Sequence, residues 1–443
     1  MFQTSTLRTA RTACSATTLV LLALSTLATS PVGATEGSAR DLAMVEPSEV
    51  GLDPAKVEKF TSEMKKLVDD GQLAGMVTMI ARHGKIAQFE AFGYRDLEKK
   101  LPMEKDTIVR IYSMSKPVTG VALMILYDEG KFQLDDPVSK YLPQFADLKV
   151  AKADGPDGMP ELEEPHHAMT IRELMSHTGG LTYGFFSRSQ TDQLYVKANI
   201  LDRDTTLEQM VDKLGQLPLR QQPGSAWHYS VSVDVQGRLI EVLSGKPFDV
   251  FLKERIFEPL GMKDTDFWVP EEKLERFSRL YVPNRDGVLE VQPEDEYLTK
   301  PTLLSGGGGM VSTAIDYMRF AQMLLNGGEL DGVRILKPET VELMHQDHLP
   351  EGVEFINPLM GNPGNKFGLD FALVHSPDGT ADHELAKGEY WWYGIGGTWF
   401  GINPVQDIVV VGMIQARGGL AARQARIESK KLAYEAIVDP VEN

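Results

Sequence analysis

Ser113-Met114-Ser115-Lys116-Pro117-Val118-Thr119-Gly120-Val121-Ala122-Leu123-Met124-Ile125-Leu126-Tyr127-Asp128-Glu129-Gly130 is the stretch on which the reading of this chain turns. From Val118 to Leu126 it is apolar nearly all round, the pattern of a helix buried on every side. Pro117 falls in the first turn, where a helix has no use for its N–H, and Gly130 closes the segment. Ser113 and Lys116 open it with the spacing Ser-x-x-Lys. Positions i and i+3 share a helix face, so the amine can lie beside the hydroxyl. A lysine desolvated in such surroundings is driven toward its neutral form, which can accept the serine proton. The free amides of a helix N-terminus, that of Ser113 among them, could hold an oxyanion.

Outward from this helix, the pattern changes in both directions. Pro54 to Asp70 carries Val57, Phe60, Met64 and Leu67 at helical spacing. Met76–Ile80 and Ile86–Phe92 are strand-like, with a hairpin turn at His83-Gly84-Lys85. After Gly130 come helical pieces and polar loops, and Ala151 to Pro165 reads as an exposed loop. Near the other end, a helix is expected over Thr313–Asn326, strands at Trp399–Asn403 and Ile408–Ile414, and a last helix over Ala421–Ala436. Strands at both ends with helices between them point to an α+β fold. One antiparallel sheet is built from both chain ends and flanked by helices, with a mostly helical insertion at roughly 117–300. A single catalytic domain over 45–437 follows.

The first residues form a separate region. Arg8 and Arg11 precede the apolar run Thr18–Leu24, and Val32-Gly33-Ala34 supplies small residues for cleavage. This is the layout of a secretory signal over 1–34, and export to the periplasm or medium is expected. The one cysteine, Cys14, lies inside that leader, so the mature chain would carry no disulfide. No later run reaches the length of a membrane span. The formal charge of −18 becomes −20 once Arg8 and Arg11 are removed. That balance argues against nucleic acid and anionic membranes as partners.

Ser-x-x-Lys alone is a weak signal, and it occurs a second time at Ser62-Glu63-Met64-Lys65. That copy lies among charges on a surface helix, where nothing would bury the lysine. Around Ser113 the context is richer. Pro223-Gly224-Ser225-Ala226-Trp227-His228-Tyr229-Ser230 is a turn leading into Tyr-Ser. A tyrosine beside a cationic lysine loses its proton more readily and could serve as base and then acid.

Ser113-Met-Ser-Lys116-Pro117, Leu134-Asp135-Asp136-Pro137-Val138, Thr170-Ile171-Arg172-Glu173-Leu174-Met175-Ser176-His177-Thr178-Gly179-Gly180, Tyr229-Ser230 and Gly306–Thr313 with Asp316-Tyr317 follow one another in this order. Together they resemble the class C β-lactamase and penicillin-binding-protein superfamily, in its esterase-like branch (the family VIII carboxylesterases). The resemblance implies a nucleophile at Ser113, a lysine partner at Lys116 and a catalytic tyrosine at Tyr229. It also implies a site-lining strand at Trp392-Tyr393-Gly394, followed by Ile395, whose amide would join that of Ser113 in the oxyanion hole.

Two departures bear on the substrate. The third element has Trp392 where β-lactamases carry the lysine that helps bind the substrate carboxylate. Val231 stands where the tyrosine motif usually has an asparagine. A pocket formed by Val231, Trp392, Tyr393 and Gly394 would suit an uncharged ester of short or medium acyl length. β-Lactam or D-alanyl peptide hydrolysis and transesterification stay open on the same chemistry, as does a catalytically silent binding protein. No cofactor or metal is expected: His166-His167 and His345-x-x-His348 lack a third ligand and read as surface residues. His177 and His228 are expected to support the site by packing. Gly306–Gly309 precede no Lys-Ser/Thr pair and are expected to let backbone pass close to the site.

Overall fold

The structure is a computed structural model that describes residues 40–293, 296–357, 365–377 and 382–441. The leader expected over 1–34, with Cys14, lies outside the described residues. Helix α1 (Pro54–Asp69) precedes strands β1 (Gly75–Arg82), β2 (Lys85–Asp96) and β3 (Leu101–Pro102). His83 and Gly84 between β1 and β2 both have positive φ, 53° and 74°, the requirement of a two-residue hairpin turn. The chain then leaves the sheet and returns at β4 (Asn365–Phe367), β5 (Ala372–Val374), β6 (Tyr390–Tyr393), β7 (Trp399–Asn403) and β8 (Ile408–Ile414). The sheet order is β4-β5-β6-β7-β8-β1-β2-β3, antiparallel throughout.

The two chain ends meet at the centre, where β1 pairs with β8 from Met76↔Ile414 to Arg82↔Ile408. The turn that feeds β8 is tied by Asn403, whose side-chain oxygen accepts from the amides of Val405 (2.9 Å) and Gln406 (3.0 Å). Every residue of β1 and β8 is buried, so both faces of the central sheet are covered. Helix α1 packs on the C-terminal helix, and both pack on the sheet.

Between β3 and β4 the chain carries three helices that matter here, α2 (Ser115–Asp128), α3 (Ser232–Ser244) and α4 (Ala314–Leu325), the last of them beyond the expected bounds of the insertion. The C-terminal helix is α5 (Leu420–Glu435). Helix α2 is buried from Ser115 to Leu126 and packs along α3, while α4 packs on β7 and β8. The segment expected to be a loop at 151–165 is instead a small hairpin, Val150–Asp154 with Pro160–Glu163. Its strands are short, charged and largely exposed, so they have no apolar alternation to betray them.

Two of the sequence motifs bind each other. Ile171 N–H donates to the Asp136 carbonyl and Val138 N–H to that of Met169. Arg172 forks onto the Asp135 carboxylate at 2.7 and 3.1 Å. Thr170 and Glu173 form a capping box on the short helix that carries His177 at its end. These motifs hold the loops around α2 in place.

Candidate active site

Ser113 sits in a single 3-10 turn, Tyr112–Met114, just ahead of α2. The Tyr317 hydroxyl, from α4, holds that turn by donating to the Met114 carbonyl at 2.9 Å. Lys116, in the first turn of α2, is 1% exposed. Its Nζ lies 3.4 Å from Ser113 Oγ and 2.9 Å from the Tyr183 hydroxyl, and it also donates to the Gly307 carbonyl. Burial pulls the lysine down to about 8, against the carboxylates of Asp234 and Asp370, which hold it up. At neutral pH a usable fraction is therefore the free amine. The second Ser-x-x-Lys behaves as expected: Lys65 is exposed and paired with Asp69.

The glycine segment is built around this lysine. Asp234, at the start of α3, accepts from Ser305 Oγ (2.5 Å) and from the Gly307 amide (3.1 Å). A Cβ on Gly307 would stand 2.5 Å from Asp234 Oδ2 and 3.0 Å from the Tyr183 hydroxyl, so only glycine lets the carbonyl reach Lys116. Thr119 Oγ1 donates to the Gly306 carbonyl at 2.9 Å, and Ser115 Oγ accepts from the Met310 amide at 3.1 Å. The expected close approach of this backbone is thus present. Tyr183 and Asp234 are the residues that motif reading missed. They meet Lys116 only through tertiary contact.

Tyr229 is brought to the same place, but not in the expected electrostatic state. Lys116 Nζ sits over its ring face, 4.6 Å from the centroid. The phenol oxygen faces Ser113 and the Trp392 indole without meeting either in hydrogen-bond geometry. Burial pushes Tyr229 far above the ordinary tyrosine range, so it is a neutral phenol. The expectation that lysine would favour phenolate is corrected: the charge lies over the ring, and desolvation of the hydroxyl outweighs it. His177 packs edge-on against Tyr229 (5.0 Å between centroids), and its Nδ1 lies 3.2 Å from Ser230 Oγ. Burial holds His177 well below the usual range, and His228 is drawn down to about 4. Both histidines are neutral supports of the tyrosine turn.

The strand β6 ends at Tyr393, and the chain turns at Gly394–Gly397 directly against the nucleophile's own turn. Thr398 Oγ1 donates to the Ile111 carbonyl at 3.3 Å. A Cβ on Gly394 would lie 2.3 Å from that same carbonyl. A Cβ on Gly396 would lie 2.7 Å from the Tyr112 ring, so the turn that carries Ile395 runs beside the nucleophile's own. Neither the Ser113 nor the Ile395 amide donates in a turn or loop hydrogen bond among the described residues.

The expected pocket residues divide. Tyr393, Gly394 and Ile395 line a cavity of about 600 Å³. Trp392 and Val231 do not line it and are each 1% exposed, with the Trp392 ring 5.6 Å from that of Tyr229. Arg417, Arg423 and Arg426 line it as well, and Ser113, Lys116 and Tyr229 do not. His166 and His167 are exposed, as expected, whereas His345 and His348 are half-buried. His167 pairs with Glu173 at 2.7 Å, His345 stacks on Tyr390, and His348 bonds the Leu343 carbonyl at 2.8 Å.

A family model described as Beta-lactamase matches residues 60–435. The chain belongs to the β-lactamase family. Within the family, Protein Rv1367c of Mycobacterium tuberculosis is 35% identical over 363 residues, covering 80% of this chain and 88% of that one. Esterase EstB of Burkholderia gladioli is 30% identical over 383 residues, covering 81% and 90%. The solved structure of EstCE1, described as a hydrolase with promiscuous acyltransferase activity, superposes with a TM-score of 0.72 at 27% identity, covering 86% of this chain and 99% of its own. This β-lactamase-family chain is a serine hydrolase of the esterase-like branch.

Proposed function

We propose that the chain cleaves carboxylic esters through an acyl-enzyme on Ser113. The observation that carries this reading is a buried amine, drawn down to about 8, at 3.4 Å from the serine oxygen. Lys116 takes the proton as Ser113 Oγ attacks the ester carbonyl. The amides of Ser113 and Ile395 receive the developing oxyanion. Tyr229, a neutral phenol facing the serine, gives its proton to the departing alkoxide and regains one by way of Lys116. Water then attacks the acyl-enzyme along the reverse path. EstB and EstCE1, an esterase and a hydrolase by name, support an ester as substrate.

Initial rates on p-nitrophenyl acetate, butyrate and octanoate, beside nitrocefin, test the reading in wild type and Ser113→Ala. Fast ester turnover that vanishes in Ser113→Ala, with little nitrocefin turnover, is expected. Dominant nitrocefin turnover would place the chain with the β-lactam hydrolases. Acyl transfer to an added alcohol is the second reading, favoured by the promiscuous acyltransferase activity of EstCE1. The leader layout at 1–34 further supports export of the chain.

A further inference from the structure

Asp370 is a buried acid to which the reaction as derived so far gives no part. It stands in the turn between β4 and β5 with φ of 65°, a left-handed backbone that a residue other than glycine keeps only where its surroundings hold it. Three pieces of the frame around Lys116 do so. The Asp370 amide donates to the Met175 carbonyl at 3.1 Å, at the end of the short helix that leads to His177. Its Oδ1 accepts from Gln236 Nε2 at 3.1 Å, on α3 two residues beyond Asp234. Its Oδ2 lies against α2 at Gly120, where a Cβ would come within 2.6 Å of it. Gly120 follows Lys116 by four residues, so the carboxyl lies on the face of α2 that carries the lysine, one turn along.

The residue is 1% exposed, and Oδ2 has no hydrogen-bond partner among the described residues. Burial pushes the carboxyl well above the ordinary carboxylate range, against the Gln236 hydrogen bond and the Lys116 charge, which hold it down. Burial draws Lys116 the other way, and the carboxylates of Asp234 and Asp370 oppose that. Each charge is thus held in place by the other, in a compartment where water screens little. The other titratable groups on the surrounding elements are already engaged or neutral. Asp234 on α3 has Ser305 Oγ and the Gly307 amide as donors. Glu173 on the short helix binds His167 and caps its own helix. Burial keeps His177, and His345 beside the neighbouring Leu369, below the usual histidine range. It keeps Tyr183, Tyr229 and Tyr390 above the usual tyrosine range. Lys116 is the cation left to answer Asp370.

We propose that Asp370 is a positioning residue of the hydrolytic site, an inner counter-charge for Lys116 held one turn along the same face of α2. This rests on the ester-hydrolase reading and deepens it. When Ser113 Oγ attacks, its proton passes to the free amine, and the ammonium so formed sits in the field of the Asp370 carboxylate. The carboxylate stabilises that ammonium, which favours the attack. It also holds the resting amine in its charged form to higher pH, which delays the onset of activity as pH rises.

The test is kcat/KM on p-nitrophenyl butyrate from about pH 5 to about pH 10 in wild type, Asp370→Asn and Asp370→Gly. Asparagine and glycine both accept a left-handed backbone, so the turn keeps its shape while the charge is lost. Without the carboxylate the amine releases its proton at lower pH. The rising limb is therefore expected to move down by about one pH unit in both variants, and the plateau at high pH to fall about threefold to tenfold. Should both fold poorly, Gln236→Leu removes the one hydrogen bond to the carboxylate and should move the limb the same way by a smaller step. A limb that stays in place in every variant that folds would overturn the counter-charge alone, and a lower plateau without that movement would mark Asp370 as a structural residue. No turnover of the ester by wild type would instead remove the hydrolase reading beneath it.

Discussion

Lys116 holds the site together through three contacts, one local to Ser113 Oγ and two from distant parts of the chain, to the Tyr183 hydroxyl and the Gly307 carbonyl. Its lowered pKa gives the activity a direction in pH. The lysine is charged below about 8 and cannot accept a proton there, so kcat/KM on a neutral ester should rise with pH through a limb near that value. A pH profile read on p-nitrophenyl butyrate checks this, and a flat profile from pH 6 to 9 would contradict it. Tyr183→Phe removes an oxygen that accepts from Nζ and so favours the charged amine. The limb of that variant should move to lower pH, and kcat should fall about tenfold through looser placement of the amine. Ser113, Lys116 and Tyr229 were legible because a helical i, i+3 spacing and an ordered set of motifs mark them. Tyr183 and Asp234 were not, since nothing in their own neighbourhoods says that long loops fold them onto Nζ. The protonation state of Tyr229 was misread for a related reason. Spacing brings a lysine near a tyrosine but does not say whether it meets the hydroxyl or the ring.

At the scale of elements, the active site is a junction of three backbone pieces: the turn before α2, the glycine segment at 306–309 and the turn after β6. At Gly306, Gly307 and Gly394 the approach leaves no room for a Cβ. Gly394→Ala puts a methyl group 2.3 Å from the Ile111 carbonyl, and one of the two turns must move. The expected cost is about 1–3 kcal/mol in urea denaturation. A kcat loss of about a hundredfold should accompany it, because the Ile395 amide moves with the turn. Unchanged kcat with normal stability would mean that Ile395 does not serve the reaction. The strands and helices near the sheet were readable from their periodicity, as with β7 and β8, whose bounds at Trp399–Asn403 and Ile408–Ile414 coincide with the expected ones. The hairpin at 150–163 escaped because its residues face water on most sides. The arginine-lined wall escaped as well. Arg417, Arg423 and Arg426 belong to a different segment from Tyr393–Ile395, and the sequence shows them only as charges on an end helix and just ahead of it.

For the whole molecule, closing one sheet from both chain ends has a consequence for stability. β1 lies between β2 and β8, so the N-terminal hairpin cannot complete its pairing without the last strand. Removal of α5 by ending the chain after Arg417 would uncover α1 and one face of β8 together. The shortened chain should fail to give a cooperative thermal transition by circular dichroism, where the full chain gives one. A cooperative transition in the shortened chain would mean that α5 is an accessory to the fold. The proposed export makes a separate prediction. Protein recovered outside the cytoplasm should begin at Thr35 by N-terminal sequencing and show no thiol by titration, since Cys14 is the one cysteine in the chain. The charge and composition indicated only a large acidic globular protein, and the reaction class came from the residues at one helix N-terminus.

Passage of the acyl group through Ser113 is tested most directly by mixing the enzyme with excess p-nitrophenyl butyrate, quenching in acid within the first turnovers and mapping the peptides by mass spectrometry. A butyryl adduct on the peptide containing Ser113 and a matching burst of p-nitrophenol are predicted, both absent from Ser113→Ala. An adduct on another residue, or full turnover by Ser113→Ala, would contradict the acyl-enzyme.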